Sequence, residues 1–185
     1  GFVGKYTDNS LPPFITKQIS MGLTSLITSG QATDGAAVRW EIHPEGKVYT
    51  FHLKSLKWHD DKTLTASDIQ YKISGLNLNV IDESTLQVTV QEPFAALPVI
   101  LSAPLFRNNL VGLGPYKVKN IKYQEEYISE MELQPLLPQL PLLRYRFYTN
   151  TSDAFLAFKL GEVDTLEKVA SYDELSSWKN VSITP

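Results

Sequence analysis

Residues 38–73, VRWEIHPEGKVYTFHLKSLKWHDDKTLTASDIQYKI, decide the fold of this chain. On both sides of the turn Pro44-Glu45-Gly46, apolar and polar residues alternate with a period of two, which predicts an antiparallel hairpin with one wet face. Further along, Thr65 and Asp68 have the spacing of a capping box, so we expect a helix to begin at Ala66. The stretch therefore predicts a β-hairpin that leads through an irregular turn into a capped helix.

The sequence on either side of this stretch predicts more short elements. Apolar residues recur at helical spacing from Phe14 to Leu26, which predicts a helix that is broken near Gly22. Ser74-Gly75 ends the helix that begins at Ala66, and a second hairpin follows. The remaining expected elements are a first strand over residues 1–6, hairpin strands over 76–80 and 86–91, a short helix within 93–109, strands over 116–123, 127–133 and 142–148, helices over 150–160 and 171–178, and a closing strand over 181–183.

Composition narrows the classes of function. With 185 residues, of which 43% are hydrophobic, the chain is long enough to bury a sizeable core. A net charge of -3 without long charged runs gives no electrostatic footprint for nucleic acid or an anionic membrane surface. The sequence has no cysteine, which excludes disulfides, thiolate metal sites and a cysteine nucleophile. Its first residues show no export signal, so in an exported protein the signal would already have been removed.

The only cluster that resembles a catalytic or metal site consists of His52, His59, Asp60 and Asp61. A zinc site needs three or four ligands at one point, and the sequence has no H-x-x-x-H helix pair. Because His59-Asp60 stands in a turn whose carboxylate can accept backbone N–H groups, we interpret the cluster as structural. There is also no G-x-S-x-G nucleophile turn. The residues therefore predict no catalytic residue, no metal site and no cofactor.

Several segments resemble a known family when taken in order. YTFHLK, a turn containing WHD, and then LTASDI resemble the signature region of the family 5 extracellular solute-binding proteins. Downstream, GLGPYKV at residues 112–118 resembles the family's G-T-G-P-Y-K-V strand entry, and FKLGEVD at 158–164 resembles its helix ending in S-G-E-V-D. Residues 20–26 stand where the family has its Y-E-G-L segment. These pieces extend over most of the chain.

The resemblance implies a fold and a division into domains. It implies the α/β class and, within it, lobe I of a type II (cluster C) periplasmic-binding-protein fold with an inserted, mostly β subdomain. We expect residues 1–30 and 112–185 to form lobe I and residues 31–111 to form the insertion. Family members are longer and close a second lobe over the ligand, so we expect this sequence to be an N-terminal fragment without that lobe.

The resemblance also implies a function. Family members are extracytoplasmic receptors, periplasmic or lipid-anchored, that deliver peptides, nickel chelates or sugars to membrane ABC permeases. We therefore expect a non-catalytic fragment that captures a peptide or related small solute and is membrane-anchored in its full-length form. In the family, the segment corresponding to residues 20–26 lies against the ligand cleft, and aromatic rings near element ends suit such a cleft. The expected cleft residues are Tyr6, Gly22, Leu23, Thr24, Tyr116 and Tyr148.

Other interpretations stay open at this point. A stand-alone interaction or sensor module that keeps the lobe I fold is the second, and the early stop of the helix after Ile73 favours it. An enzyme is the third, and hydrolysis abolished by His59→Ala would support it. For the fragment, half a cleft implies weak solute binding, and exposed cleft surface implies self-association.

Overall fold

The computed structural model describes residues 1–167, 169 and 182, and these contain ten strands and three α-helices. In chain order the elements are β1 (Phe2–Val3), α1 (Pro13–Ile19), β2 (Thr24–Leu26), β3 (Ala32–Asp34), β4 (Ala37–Ile42), β5 (Val48–Leu53), β6 (Leu76–Asp82), β7 (Thr85–Val90), α2 (Leu97–Ile100), β8 (Tyr116–Gln124), β9 (Tyr127–Pro135), β10 (Leu143–Tyr148) and α3 (Thr151–Lys159). The expected helix over 171–178 and strand over 181–183 lie outside the described residues.

The chain divides into two compact units. Unit 1 contains residues 1–10, 119–132 and 143–185, and unit 2 contains residues 11–118 and 133–142. These bounds differ from the expected division into residues 1–30 with 112–185 and residues 31–111. The expected division therefore stays a prediction.

Unit 1 is built on a sheet with strand order β1-β10-β9-β8. β1 runs parallel to β10, with Phe2 opposite Phe147, whereas the two-residue connection between β8 and β9 requires an antiparallel hairpin. α3 packs against β1 and β10 and buries Ala154 and Phe155. The expected strands and the helix after Asn150 are confirmed, and the sheet contains both parallel and antiparallel neighbours.

Ion pairs between neighbouring strands form two rows across the sheet of unit 1. Two glutamates on β9 each contact basic residues on β8 and β10, with pairs Lys119–Glu132 (2.6 Å), Lys122–Glu130 (2.8 Å), Arg144–Glu132 (3.5 Å) and Arg146–Glu130 (3.4 Å). The hydrogen bonds from Lys122 and Lys119 lower the pKa of Glu130 and Glu132 below the usual value. Because opposite charges lie across neighbouring strands, the rows favour one strand register.

Unit 2 contains an antiparallel sheet of order β4-β5-β7-β6. One row across it, Trp40–Phe51–Leu86, faces the core, and Phe51 and Leu86 are fully buried. The next row, Glu41–Thr50–Gln87–Asn79, faces solvent with polar side chains. Both expected hairpins are confirmed, each with the alternation that the sequence shows.

The helix expected to begin at Ala66 is wrong in length. The structure has a single 3-10 turn, Ala66–Asp68, after which Ile69 is extended with ψ 118°. Ile69 is buried, and the Tyr71 hydroxyl donates to the Leu101 carbonyl in the interior of unit 2. After the turn, every second side chain therefore points inward, as in an extended strand. The capping residues favour a first turn, and these tertiary contacts prevent a second one.

The helix expected from Phe14 to Leu26 is also shorter than predicted. α1 ends at Ile19, Ser20 is extended, and residues 24–26 form β2, which pairs with β3. The buried Ser20 hydroxyl donates to the Leu105 carbonyl, which fixes the chain where it leaves the helix. Among the described residues, no helix is both long enough and apolar enough to cross a bilayer.

Candidate functional site

The segment from Ser20 to Thr24 lies directly on the backbone that follows α2. A Cβ atom on Gly22 would lie 2.4 Å from the Leu101 carbonyl oxygen and 2.7 Å from the Ser102 Cα. Backbone atoms cannot move aside as a flexible side chain can, so the close approach requires glycine at position 22. This residue is the glycine of the segment that resembles the family's Y-E-G-L.

Hydrogen bonds fix the segment in this place. The Leu23 N–H donates to the Tyr71 hydroxyl oxygen at 3.0 Å, and the same hydroxyl donates to the Leu101 carbonyl at 2.8 Å. The Thr24 N–H also donates to the Leu101 carbonyl, at 3.3 Å. Burial raises the pKa of Tyr71, so the hydroxyl keeps its proton and bridges the two backbone segments at neutral pH.

A small open pocket borders this segment in unit 2. Its volume is about 190 Å³. We call it the Gly22 pocket, and its lining residues are Lys17, Ser20, Met21, Gly22, Ser25, Leu26, Ser102 and Pro104. The lining combines one cation and several hydroxyl groups with apolar side chains, a mixture that suits reversible binding of a small molecule.

The turn that contains His59 positions the chain where it enters β8. The His59 Nε2 lies 3.0 Å from the Gly114 carbonyl, and the Gly112 N–H donates to His59 Nδ1 at 3.3 Å. This arrangement fits a neutral ring protonated on Nε2. Burial, supported by the positive charge of Lys117, holds the pKa of His59 below its usual value. His59 is therefore occupied by backbone contacts within unit 2.

The acidic residues near His59 have structural partners as well. The Asp68 carboxylate accepts the Thr65 N–H and the Thr65 hydroxyl, each at 2.9 Å. The Asp60 carboxylate lies 3.5 Å from the Arg107 guanidinium. Within the described part of the chain, no three His, Cys, Asp or Glu side chains are placed to hold a metal ion.

Unit 1 has an open pocket of its own, with a volume of about 260 Å³. Its lining comes from the end of β10, the turn between β8 and β9, and the residues after β1, namely Gly4, Lys5, Gln124, Glu125, Tyr127, Ile128, Ser129, Phe147 and Thr149. The Lys5 ammonium lies over the Tyr127 ring at 4.8 Å. The cation therefore already has an aromatic partner.

The expected cleft residues fall into both units. In unit 2, Leu23 and Thr24 are fully buried, and Tyr116 is 4% exposed, whereas Gly22 lines the pocket. In unit 1, the ring of Tyr6 lies 5.3 Å from that of Phe147, and Tyr148 accepts the Gly4 N–H through its carbonyl. The role of these residues in binding stays a prediction.

Sequence reasoning missed most of the lining of the Gly22 pocket. Ser25 belongs to the segment of residues 20–26 that the resemblance places at the cleft, and Lys17 could have been found by extending that segment toward the N-terminus. Ser102 and Pro104 come from the chain after α2, about 80 residues away, and only the packing of α2 against β2 brings them there. No local pattern in the sequence signals that contact.

Comparison with protein families decides the affiliation. The profile described as bacterial extracellular solute-binding proteins, family 5 Middle, matches residues 32–182, which is more than half of the chain. This chain belongs to that family. Membership confirms the affiliation expected from the motifs around residues 49–69, and it makes the chain part of a group of extracellular solute-binding proteins.

Family 5 relatives differ in the solutes that their names report. A probable deoxycholate-binding periplasmic protein, YgiS of Escherichia coli, is 27% identical over 45% of this chain and 22% of its own length. The structure of AgaA from A. tumefaciens R10 in complex with agropinic acid superimposes with a TM-score of 0.72 at 22% identity, over 89% of this chain and 43% of AgaA. DppA of Helicobacter pylori in complex with the peptide STSA gives a TM-score of 0.68 at 17% identity, over 88% of this chain and 44% of DppA.

The two structural matches cover most of this chain, the match to YgiS covers 45% of it, and all three cover less than half of the other protein. At these identities, the two structural matches establish the fold alone. They confirm the expected periplasmic-binding-protein-like fold, as a partial lobe of the mixed α/β type.

Proposed function

We propose that this chain supplies part of the solute-capturing surface of an extracytoplasmic receptor that delivers its solute to a membrane ABC permease. The observation that carries the proposal is the Gly22 pocket, which lies on the segment that resembles the family's cleft segment. The segment is fixed by backbone contacts to residues 101–102 and by Tyr71, so the pocket is preformed. When a solute binds to a preformed pocket, fewer protein groups have to be ordered, so less conformational entropy is lost.

We propose further that the chain performs no bond chemistry. His59, the strongest candidate for a general base, is bound to backbone groups at both ring nitrogens. Asp60 and Asp68 are likewise engaged by Arg107 and Thr65. These contacts support positioning roles for the three groups within unit 2.

The family leaves the class of solute open, because the names of these relatives report probable deoxycholate binding, a complex with agropinic acid and a complex with a peptide. Those relatives and structures are all binding proteins, which does not favour a stand-alone sensor or assembly module. The peptide expected from the resemblance is one candidate solute among several.

A thermal-shift screen tests the proposal. The full chain is mixed with short peptides, sugars, nickel–histidine and organic acids at millimolar concentration. At ten times Kd, a true solute should raise Tm by about 2 °C or more. Chromatography should then recover that solute unchanged. No stabilising solute in any class, or recovery of a cleaved product, would contradict the proposal.

Two tryptophan variants, one inside the Gly22 pocket and one outside it, test whether the solute binds there. Ser25 is half-buried on β2 and lines the pocket, so Ser25→Trp should fill it and remove the solute-dependent shift. Ser29 is exposed in the turn after β2 and does not line the pocket, so Ser29→Trp should leave the shift unchanged. Equal shifts in both variants would place binding elsewhere.

We also propose that the isolated chain self-associates through exposed apolar side chains of unit 2. Leu26 and Ile27 are 39% and 49% exposed, and Val99 and Ile100 on α2 are 38% and 39% exposed. α2 packs against β2, which ends at Leu26, directly before Ile27. Sedimentation equilibrium should give a mass that rises with protein concentration. A constant monomer mass would refute this proposal.

A further inference from the structure

The Gly22 pocket has hydrogen-bond donors without acceptors. Among the described residues, the Lys17 ammonium has no ion-pair or hydrogen-bond partner, and Lys17 is exposed at the end of α1. The Gly22 N–H donates to no described acceptor although the residue is buried, and the Met21 N–H and the Ser25 hydroxyl have no described partner either. Buried backbone N–H groups are nearly always paired, so such a donor points to an acceptor supplied from outside the chain.

The charge of the residues that line the Gly22 pocket also favours a solute that brings hydrogen-bond acceptors. Lys17 is the only ionisable residue among those that the structure places around the pocket, and none of them is acidic. The Ser102 and Ser20 hydroxyls already donate, to the Val99 and Leu105 carbonyls. The pocket therefore presents free donors and a positive charge, and a bound group must bring acceptors and negative charge.

The rest of the lining is apolar. Met21, Leu26 and Pro104 line the same pocket, and Leu26 is 39% exposed. A solute that places only an inorganic anion here would leave these side chains in contact with water. A solute with an apolar part would cover them and gain hydrophobic free energy.

We propose that the Gly22 pocket binds the carboxylate of a small organic acid through Lys17 and the donors of Met21, Gly22 and Ser25, with the apolar part of the acid on Met21, Leu26 and Pro104. This inference rests on the proposed function, since it names the class of solute. A cationic solute would meet Lys17 without a counter-charge. A sugar would find no aromatic ring among the described lining residues to stack on its apolar face.

The test uses octanoate as the probe and the full chain. Octanoate is titrated while backbone amide shifts are followed by ¹H–¹⁵N NMR, and the amides of Met21, Gly22 and Ser25 should move together along one saturating curve. Lys17→Gln should weaken binding roughly fivefold, because it removes a charge-assisted contact in a partly exposed site. Lys72→Gln is the control, since Lys72 is also exposed in unit 2, has no described ion pair and does not line the pocket.

Two further probes separate the chemical classes. Octanol has the apolar part without the charge, and inorganic phosphate has the charge without the apolar part, so both should bind at least about fivefold more weakly than octanoate. Octanol or phosphate binding as tightly as octanoate would overturn the inference. Equal octanoate affinity in Lys17→Gln and wild type, or octanoate shifts confined to other residues, would also overturn it. If octanoate fails while a peptide or sugar moves the same amides, the proposed receptor function stands and only the solute class is wrong.

Discussion

At the scale of single residues, Tyr71 connects the candidate site to the backbone beneath it. Its hydroxyl accepts from Leu23 and donates to the Leu101 carbonyl. Tyr71→Phe leaves the N–H of the buried Leu23 without an acceptor, so we predict a loss of about 1–3 kcal/mol in the free energy of unfolding. The variant should also bind the solute found in the thermal-shift screen more weakly, because the segment from Ser20 to Thr24 is less firmly held.

Tyr123 provides the control for this prediction. Its hydroxyl donates to Asp8 at 2.8 Å on the surface of unit 1. Tyr123→Phe removes the same atom from an exposed contact and should change the unfolding free energy by less than about 0.5 kcal/mol. Chemical denaturation measures both variants, and equal losses would contradict the role given to Tyr71.

The lowered pKa of His59 leads to a prediction of how the stability of the chain depends on pH. Its pKa lies below the usual value, so on acidification the unfolded chain takes up the proton first. The stabilising contribution of the neutral ring is complete above the unfolded pKa of about 6.5 and is lost as the pH falls below it. We predict that Tm decreases from about pH 7 to about pH 5, and that His59→Asn removes much of this decrease.

The matched variant for the pH experiment is His43→Asn. His43 is exposed and its Nε2 lies 3.1 Å from the Thr50 hydroxyl, away from the backbone contacts of residues 112–114. It should leave the pH dependence of Tm close to that of wild type. A decrease that is unchanged in His59→Asn, or abolished in His43→Asn, would assign the effect to another group.

At the scale of elements, a capping residue predicts a helix correctly where the tertiary packing also allows the helix to continue. The sequence predicts that Asn150 caps a helix, and its Oδ1 accepts the Asp153 N–H at 2.9 Å. Thr65 and Asp68 form similar local contacts, yet only one 3-10 turn follows them, because Ile69 and Tyr71 are drawn inward. Local sequence therefore predicts where a helix can begin, whereas its length depends on contacts from distant parts of the chain.

The cap of α3 gives a prediction at this scale. Asn150→Ala removes the acceptor for the Asp153 N–H and should lower the unfolding free energy of unit 1 by about 1 kcal/mol. Ser152→Ala is the control, since Ser152 is exposed in the first turn and has no described hydrogen-bond partner. Amide exchange of α3 measures the difference, and equal protection in the two variants would contradict the capping role.

At the scale of the whole molecule, the hairpins, the strands of the two four-stranded sheets and α3 follow from alternation and turn residues that the sequence displays. The expected division, in which residues 1–30 join residues 112–185, stays a prediction, although unit 1 likewise combines residues 1–10 with residues that follow Val118. The candidate site could be predicted from the sequence only in part. Gly22 carries a recognisable local pattern, whereas Ser102 and Pro104 reach the pocket only through the packing of α2 on β2.

The central claim is that a preformed pocket beside Gly22 captures a solute without altering it. A crystal structure of the chain soaked with the most stabilising solute from the screen tests it most directly. The account predicts density for the intact solute against Lys17, Gly22 and Ser25. Density confined to another surface, such as the polar face of β5 and β7, or density for a cleaved product, would contradict it.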